Sequence, residues 1–305
     1  MKAAVYTSYG PPEVLHIKEV NKPAPRDNEV LVEVYATTVK AGDWRLRQPN
    51  PFLARLYNGL FKPTRFQILG MELAGRIEAV GKNITRFKVG DEVFASTGIK
   101  FGAYAEYRCL PENGVIALKP SDLPFEEAAT VPSSGIAALE QLKKADILNL
   151  KSGQKVLING ATGAIGSYAV QLAKYFGAEV TAVCRTENFE FARGLGANNL
   201  IDYKKEDFTE GAERYDIIFD AAGKKLSGLK AAKASKALSP GGVFVGMKDN
   251  YEETAESLVF LKDLIEKGHI RPAIGKTFKL EKIVEAHRYA ESGSKIGNVV
   301  VVVKG

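Results

Sequence analysis

The stretch Lys155-Val156-Leu157-Ile158-Asn159-Gly160-Ala161-Thr162-Gly163-Ala164-Ile165-Gly166 runs an apolar strand into three spaced glycines. An amphipathic segment carrying Val170, Leu172, Ala173 and Phe176 follows at once. The change from a short apolar run to helical spacing predicts a strand, a tight turn and a helix. Glycine suits such a turn at three points: where the chain reverses, where backbone approaches a ligand, and where helix meets strand. The first N–H groups of the helix have no intrahelical acceptor and carry the positive end of its dipole. Gly160, Ala161, Thr162, Gly163, Ala164, Ile165 and Gly166 therefore read as an anion cradle, and the strand–turn–helix context makes the ligand a dinucleotide pyrophosphate.

The pattern continues on both sides of this loop. Glu179–Cys184, Asn199–Ile201, Tyr215–Asp220 and Gly242–Gly246 read as strands, alternating with helical stretches at Ile165–Phe176, Phe189–Leu195 and Lys230–Leu238. That alternation predicts an α/β, doubly wound parallel sheet. The first third reads differently. Lys2–Tyr6, Val14–Val20, Glu29–Val39, Leu73–Val80, Glu92–Ala95 and Ala103–Cys109 are short strands bounded by Gly and Pro, which suggests a partly open β-barrel. The final helix and strand, Leu280–Glu291 and Ile296–Val303, are compatible with either domain.

A chain of 305 residues suits two domains. No segment approaches the roughly 20 apolar residues of a membrane span, and the start lacks a secretory h-region, so no membrane partner and a cytoplasmic location are expected. Cys109 and Cys184 supply neither a disulfide framework nor a thiolate cluster. The net charge of +6 is spread along the chain without a basic run, which disfavours nucleic acid and fits an enzyme that attracts an anionic cofactor. His16, His269 and His287 are dispersed; for His287 a surface or interdomain role is expected.

The end of the second parallel strand selects between cofactors. An Asp or Glu there accepts from the ribose 2′-OH of NAD, whereas a cation meets the 2′-phosphate of NADP. This strand ends Val183-Cys184-Arg185-Thr186-Glu187, with a guanidinium and no terminating acid. Arg185 therefore indicates NADPH, with Tyr203 and Lys204 as further neighbours of the adenosine end.

Six motifs are spread over nearly the whole chain: Lys2-Ala3-Ala4-Val5, Gly70-Met71-Glu72-Leu73-Ala74-Gly75-Arg76-Ile77-Glu78-Ala79-Val80-Gly81, Val89-Gly90-Asp91-Glu92-Val93, Gly102-Ala103-Tyr104-Ala105-Glu106-Tyr107, Ala128-Ala129-Thr130-Val131-Pro132, and the phosphate loop. In these the chain resembles the medium-chain dehydrogenase/reductase superfamily, in its zinc-lacking quinone oxidoreductase-like branch. The resemblance implies a GroES-like catalytic domain, residues 1–121 and 270–305, and a Rossmann domain, residues 122–269. It also implies that the last strand returns to the first domain.

Zinc-dependent members of that superfamily hold metal at positions matched here by Lys40, Met71 and Ser133, a trio unsuited to Zn²⁺. No zinc is expected, although Glu72 is one possible ligand. Without that Lewis acid, an activated acceptor is expected: a quinone, or an α,β-unsaturated carbonyl compound that takes hydride from NADPH. Lys40 stands where relatives have Asn. It is either an electrostatic stabiliser or proton donor, or a surface or cofactor-amide contact. Asp43 matches a position near the substrate cleft and equally suits the cap of a short helix from Trp44 to Arg47. Trp44, Phe52, Leu56, Tyr57 and Phe61, with Met71, are candidates for the substrate wall, the aromatic stretch being equally readable as plain core. By resemblance Thr130 meets the nicotinamide ribose and Asn298 lies near the nicotinamide end. A homodimer paired along strands after Gly241–Val245 is expected, with a monomer as the alternative. The competing functions are a zinc-free NADP-dependent alcohol or aldehyde oxidoreductase and a non-enzymatic NADPH-binding protein.

Overall fold

The computed structural model describes residues 1–49, 54–222, 231–247 and 251–304. Its strands begin with β1 (Lys2–Tyr6), β2 (Leu15–Glu19), β3 (Glu29–Thr38), β4 (Glu72–Val80), β5 (Glu92–Ser96), β6 (Tyr107–Pro111) and β7 (Ile116–Leu118). They continue with β8 (Lys155–Asn159), β9 (Glu179–Cys184), β10 (Asn199–Asp202), β11 (Tyr215–Asp220), β12 (Leu238–Gly246), β13 (Ile274–Lys279) and β14 (Asn298–Val302). The helices are α1 (Ala41–Arg47), α2 (Ala54–Asn58), α3 (Phe125–Ala128), α4 (Val131–Lys144) and α5 (Ala164–Tyr175). Then come α6 (Phe189–Gly194), α7 (Ala231–Ala234), α8 (Ala255–Glu266) and α9 (Ile283–Glu291). The chain divides into two compact units: Met1–Ser133 with Glu253–Lys262 and Ile274–Gly305, and Ser134–Glu252 with Asp263–Ala273.

The first unit is organised around β3. Val30, Val32 and Val34 point to one face and are fully buried with Leu73, Ile77 and Val93, as period-two alternation requires. One edge of β3 pairs antiparallel with β4; the other is shared by β6 near Glu29 and β14 near Thr38. Register shifts at Leu31/Val32 and Val34/Ala36 mark irregularities that bend the strand, and the seven-stranded sheet runs β13-β14-β3-β4-β5-β7 with β6 beside β3. The C-terminal strand thus returns to the first unit, and the Val39 N–H donates to Val299 O at 2.9 Å. That pairing sets Lys40 beside Asn298.

Three expectations from the sequence change here. The strand expected over Ala103–Cys109 begins only at Tyr107, because Ala103–Ala105 instead bridges to β1 through Ala4 N–H to Tyr104 O at 2.8 Å and the Ala3–Ala105 pair. Strand β13 was not expected; its side chains are half-exposed or exposed, so no apolar alternation marks it. His287 is not at the surface: its ring is fully buried, edge-on to Tyr104 at 5.7 Å. Phe52 lies outside the described residues.

The second unit is a five-stranded parallel sheet in the order β10-β9-β8-β11-β12. Val156, Leu157 and Ile158 of β8 are fully buried, as expected of a central parallel strand covered on both faces. Tyr168, Ala169, Val170, Leu172 and Ala173 bury the inner side of α5. The chain leaves β8 toward β9 on one side and reaches β11 on the other, so a crevice opens beyond the carboxyl end of β8, where such sheets bind ligands. Among the described residues no helix is long and apolar enough to cross a membrane.

Candidate active site

In the second unit the phosphate loop emerges from that crevice. Gly160 has φ +78°, and a Cβ there would lie 2.8 Å from the Ala222 Cβ. A Cβ on Gly166 would lie 2.9 Å from the Ala161 Cα, so the first turn of α5 packs on the loop only without a side chain. Gly163 is the N-cap and contributes no capping side chain. The N–H groups of the first turn are thus presented to the loop, a donor set that fits a dinucleotide phosphate. Ala161 and Thr162 are buried beneath it. Beyond β9, the Arg185 Nε donates to the Tyr203 hydroxyl at 2.9 Å, and Nη1 lies 3.3 Å from Glu187. The structure brings together two of the three residues singled out for the adenosine end, while Lys204 is exposed and its N–H donates to Asp202 Oδ1 at 2.9 Å, and Glu187 competes for the guanidinium. Asn159 and Asp220, at the ends of β8 and β11, are joined by a 2.9 Å hydrogen bond in the floor of the crevice.

In the first unit the central feature is Glu72. It opens β4, has no exposed surface, and accepts from several donors. Lys40 Nζ lies 2.5 Å from its Oε1, the Thr38 hydroxyl donates to the same oxygen, and the Ser133 N–H donates to Oε2 at 2.6 Å. A buried carboxylate requires such compensation. Lys40 also donates to Asn298 Oδ1 at 3.0 Å. Its side chain is only 11% exposed, which removes the surface reading. Thr38, Lys40 and Ser133 thus converge on one carboxylate that the sequence offered only as a metal ligand, and Asn298 joins the group through Lys40.

Asp43 lies behind this cluster and is fully buried. Its Oδ2 accepts from the Lys40 N–H and its Oδ1 from the Gly70 N–H, both at 2.8 Å. The helix starts at Ala41, not Trp44, so Asp43 is not the residue before the helix but sits in its first turn, closing a capping box onto the Lys40 N–H and tying the entry of β4 to α1. Burial pushes its carboxyl up to about 6, partly offset by those two N–H donors. Met71 is half-buried and its thioether lies against Gly42 in α1. Trp44 is half-buried, with the Arg45 guanidinium 5.3 Å from its ring. Tyr57 packs instead with Arg65 at 4.6 Å and Phe66 at 5.5 Å. Thr130 is buried and its hydroxyl donates to Glu127 O at 2.8 Å.

Two residues missed in the sequence join the cluster. Glu253 is hydrogen-bonded to the Ser96 hydroxyl, and burial together with the Glu72 charge raises its carboxyl above the usual range. Lys295 is half-buried, with Gly297 O at 3.4 Å; burial, then the Lys40 charge, lowers its ammonium to about 8. Neither position has a periodic or motif signal, so only proximity in the fold reveals them. Among the described residues no group of three or more His, Cys, Asp and Glu side chains is placed to hold a metal ion.

Residues 26–120 match the alcohol dehydrogenase GroES-like domain family, and residues 164–277 match the family described as zinc-binding dehydrogenase. The 2-methylene-furan-3-one reductase of Solanum lycopersicum is 33% identical over 99% of this chain and 79% of its own length. The chain belongs to the medium-chain dehydrogenase/reductase superfamily, in its quinone oxidoreductase-like branch. Another relative, the chloroplastic NADPH-dependent alkenal/one oxidoreductase of Arabidopsis thaliana, is 31% identical over 99% of this chain and 79% of its own length. The quinone oxidoreductase of Coxiella burnetii superposes with a TM-score of 0.85 at 29% identity, covering 100% of this chain and 99% of its own. The expected pairing of a GroES-like domain with a Rossmann-type domain is therefore met, and the chain is an oxidoreductase.

Two expectations follow for this medium-chain oxidoreductase. Glu72→Gln and Lys40→Met each leave one buried partner uncompensated and should cost about 3 kcal/mol or more. The double variant should cost less than the sum, as read by a urea-denaturation double-mutant cycle. For Asp43 the folded carboxyl titrates near 6, above its ordinary value of 3.8. The folded state therefore holds the proton more tightly, and this contribution to stability is present at low pH and lost as pH rises through about 6. Relative to Asp43→Asn, the wild-type chain should lose stability across that window in urea melts at stepped pH.

Proposed function

We propose that this oxidoreductase is an NADPH-dependent, zinc-independent reductase that delivers hydride to a quinone or an α,β-unsaturated carbonyl compound. The observation that carries the reading is the Lys40 ammonium, held by Glu72 and Asn298 at a position the superfamily uses for metal. Zinc-independence is supported by donor chemistry. An ammonium cannot ligate Zn²⁺, Met71 offers only a thioether, the Ser133 N–H is turned to Glu72, and Glu72 already neutralises Lys40. The names of the tomato and Arabidopsis relatives support the acceptor class, and the latter supports NADPH.

When bound, the nicotinamide cofactor supplies the hydride. The Gly160–Gly166 backbone holds the pyrophosphate, and Arg185 with Tyr203 receives the 2′-phosphate. Thr130 and Asn298 serve the nicotinamide end. Lys40 presents positive charge to the acceptor oxygen, where charge accumulates as the conjugated double bond is reduced, and so favours the transition state over the ground state. Asp43 acts as a positioning residue that fixes the N-terminus of α1 and hence the Lys40 backbone. Trp44, Tyr57 and Met71 form the acceptor wall. The GroES-like domain takes residues 1–121 and 270–305, and the Rossmann domain residues 122–269. A homodimer paired along β12, which ends the five-stranded sheet, and a cytoplasmic location with both cysteines reduced belong to the same reading.

The test is NADPH oxidation against quinones, enals, enones and simple aldehydes, with alcohols and NADP⁺ in reverse. Turnover confined to quinones or enones and insensitive to chelators is expected. Turnover of simple alcohols alone, or no turnover with any acceptor, overturns the reading. The Lys40→Met/Glu72→Gln double variant, which strands no buried charge, should lose about 100-fold in kcat with little change in the Kd for NADPH. Arg185→Ala should weaken NADPH binding by about 10-fold or more and leave NADH binding unchanged, as measured by calorimetry.

A further inference from the structure

On the barrel unit, a groove of about 390 Å³ is lined by the β1–β2 region, the 64–68 segment and the approach to β6. Three of its lining side chains are cations, Arg65, Lys100 and Arg108, and among the described residues no acid lines it. None of the three makes an ion pair among the described residues, although neighbouring cations do: Lys22 pairs with Glu78 at 2.5 Å and Arg76 with Glu92 at 2.8 Å. Arg108 is the most confined. Its guanidinium lies over Gly102, its Nη2 reaches only Lys100 O at 3.4 Å, and its Nε is buried without a hydrogen-bond partner. Burial lowers its pKa, offset in part by Cys109 and Glu29. Arg65 is exposed, and its guanidinium lies 4.6 Å from the Tyr57 ring and 5.1 Å from that of Phe66. Val5, Val20, Phe66 and Ile68 supply apolar wall on the same groove.

Like charges gathered without a counter-ion repel one another, and the arrangement is relieved by an anion that all three meet. Guanidinium groups favour planar or tetrahedral oxyanions, the apolar wall demands a hydrophobic body behind the charge, and the volume falls within the roughly 300–1,000 Å³ of small-molecule sites. We propose that this groove is a second ligand site, separate from the phosphate loop, for a small organic anion with a phosphate or carboxylate head and an aromatic or acyl body.

The probe is 1-naphthyl phosphate, titrated by calorimetry into protein saturated with NADP⁺ so that the phosphate loop is already filled. One site is expected, weakened about 10-fold or more by Lys100→Glu, an exposed position outside the reductive machinery. Inorganic phosphate should bind at least about 10-fold more weakly, because it cannot use the apolar wall. The half-buried Cys109 thiol lines the groove and gives an independent readout. The probe should slow its alkylation by iodoacetamide at alkaline pH in wild type and not in Lys100→Glu. Absence of binding to the NADP⁺-saturated protein, affinity unchanged by Lys100→Glu, or equal affinity for inorganic phosphate overturns the proposal.

Discussion

A carboxylate with no exposed surface has to be met by donors, and Glu72 organises the first unit around that requirement. Its partners come from the end of β3, the start of α1 and the first turn of α4, and Lys40 in turn holds Asn298 at the start of β14. These segments must be in register for the charge to be compensated. The β3–β14 pairing is therefore more than a closing strand: a slip by one residue would turn Asn298 away from Lys40 and leave the ion pair without its third member.

The same cluster holds a buried ammonium in place, whereas a metal ion would bring its own constraints. A divalent ion concentrates charge at one point and imposes its own geometry. Lys40 carries one positive charge on a flexible stem, so its position must come from the protein. Asp43 fixes its backbone, Glu72 and Asn298 fix its nitrogen, and Met71 closes the space over Gly42. Much of the positive charge is balanced by Glu72, so in the role proposed for Lys40 an acceptor would meet the field of an oriented pair rather than of an isolated cation. Burial raises the Glu253 carboxyl and lowers the Lys295 ammonium, and each feels a charge of this group, Glu72 and Lys40 respectively.

The Rossmann-type unit rests on a simpler constraint. Its central strand is apolar on both faces, and the loop that follows admits no Cβ at Gly160 or Gly166. Both conditions are local, and both are visible as residue types. That is why the parallel sheet, the phosphate loop and the Arg185–Tyr203 neighbourhood are legible in the amino-acid sequence. Strand β13 is not, because a half-exposed edge strand carries no alternation; nor is the burial of His287, which depends on packing against Tyr104 rather than on its helix.

What the sequence determined by itself was therefore whatever is encoded by nearest neighbours: glycine spacing, apolar periodicity and the guanidinium after β9; the resemblance to the superfamily added that Lys40, Met71 and Ser133 stand where its zinc-dependent members hold metal. Tertiary structure alone decided what replaces those ligands. Lys40 and Asn298 are separated by most of the chain, and their meeting, with Lys40 paired to Glu72, follows from strand pairing and from the cost of burying charge alone. Long-range electrostatics leaves no periodic trace in a sequence, because its partners are chosen by the fold that brings them together.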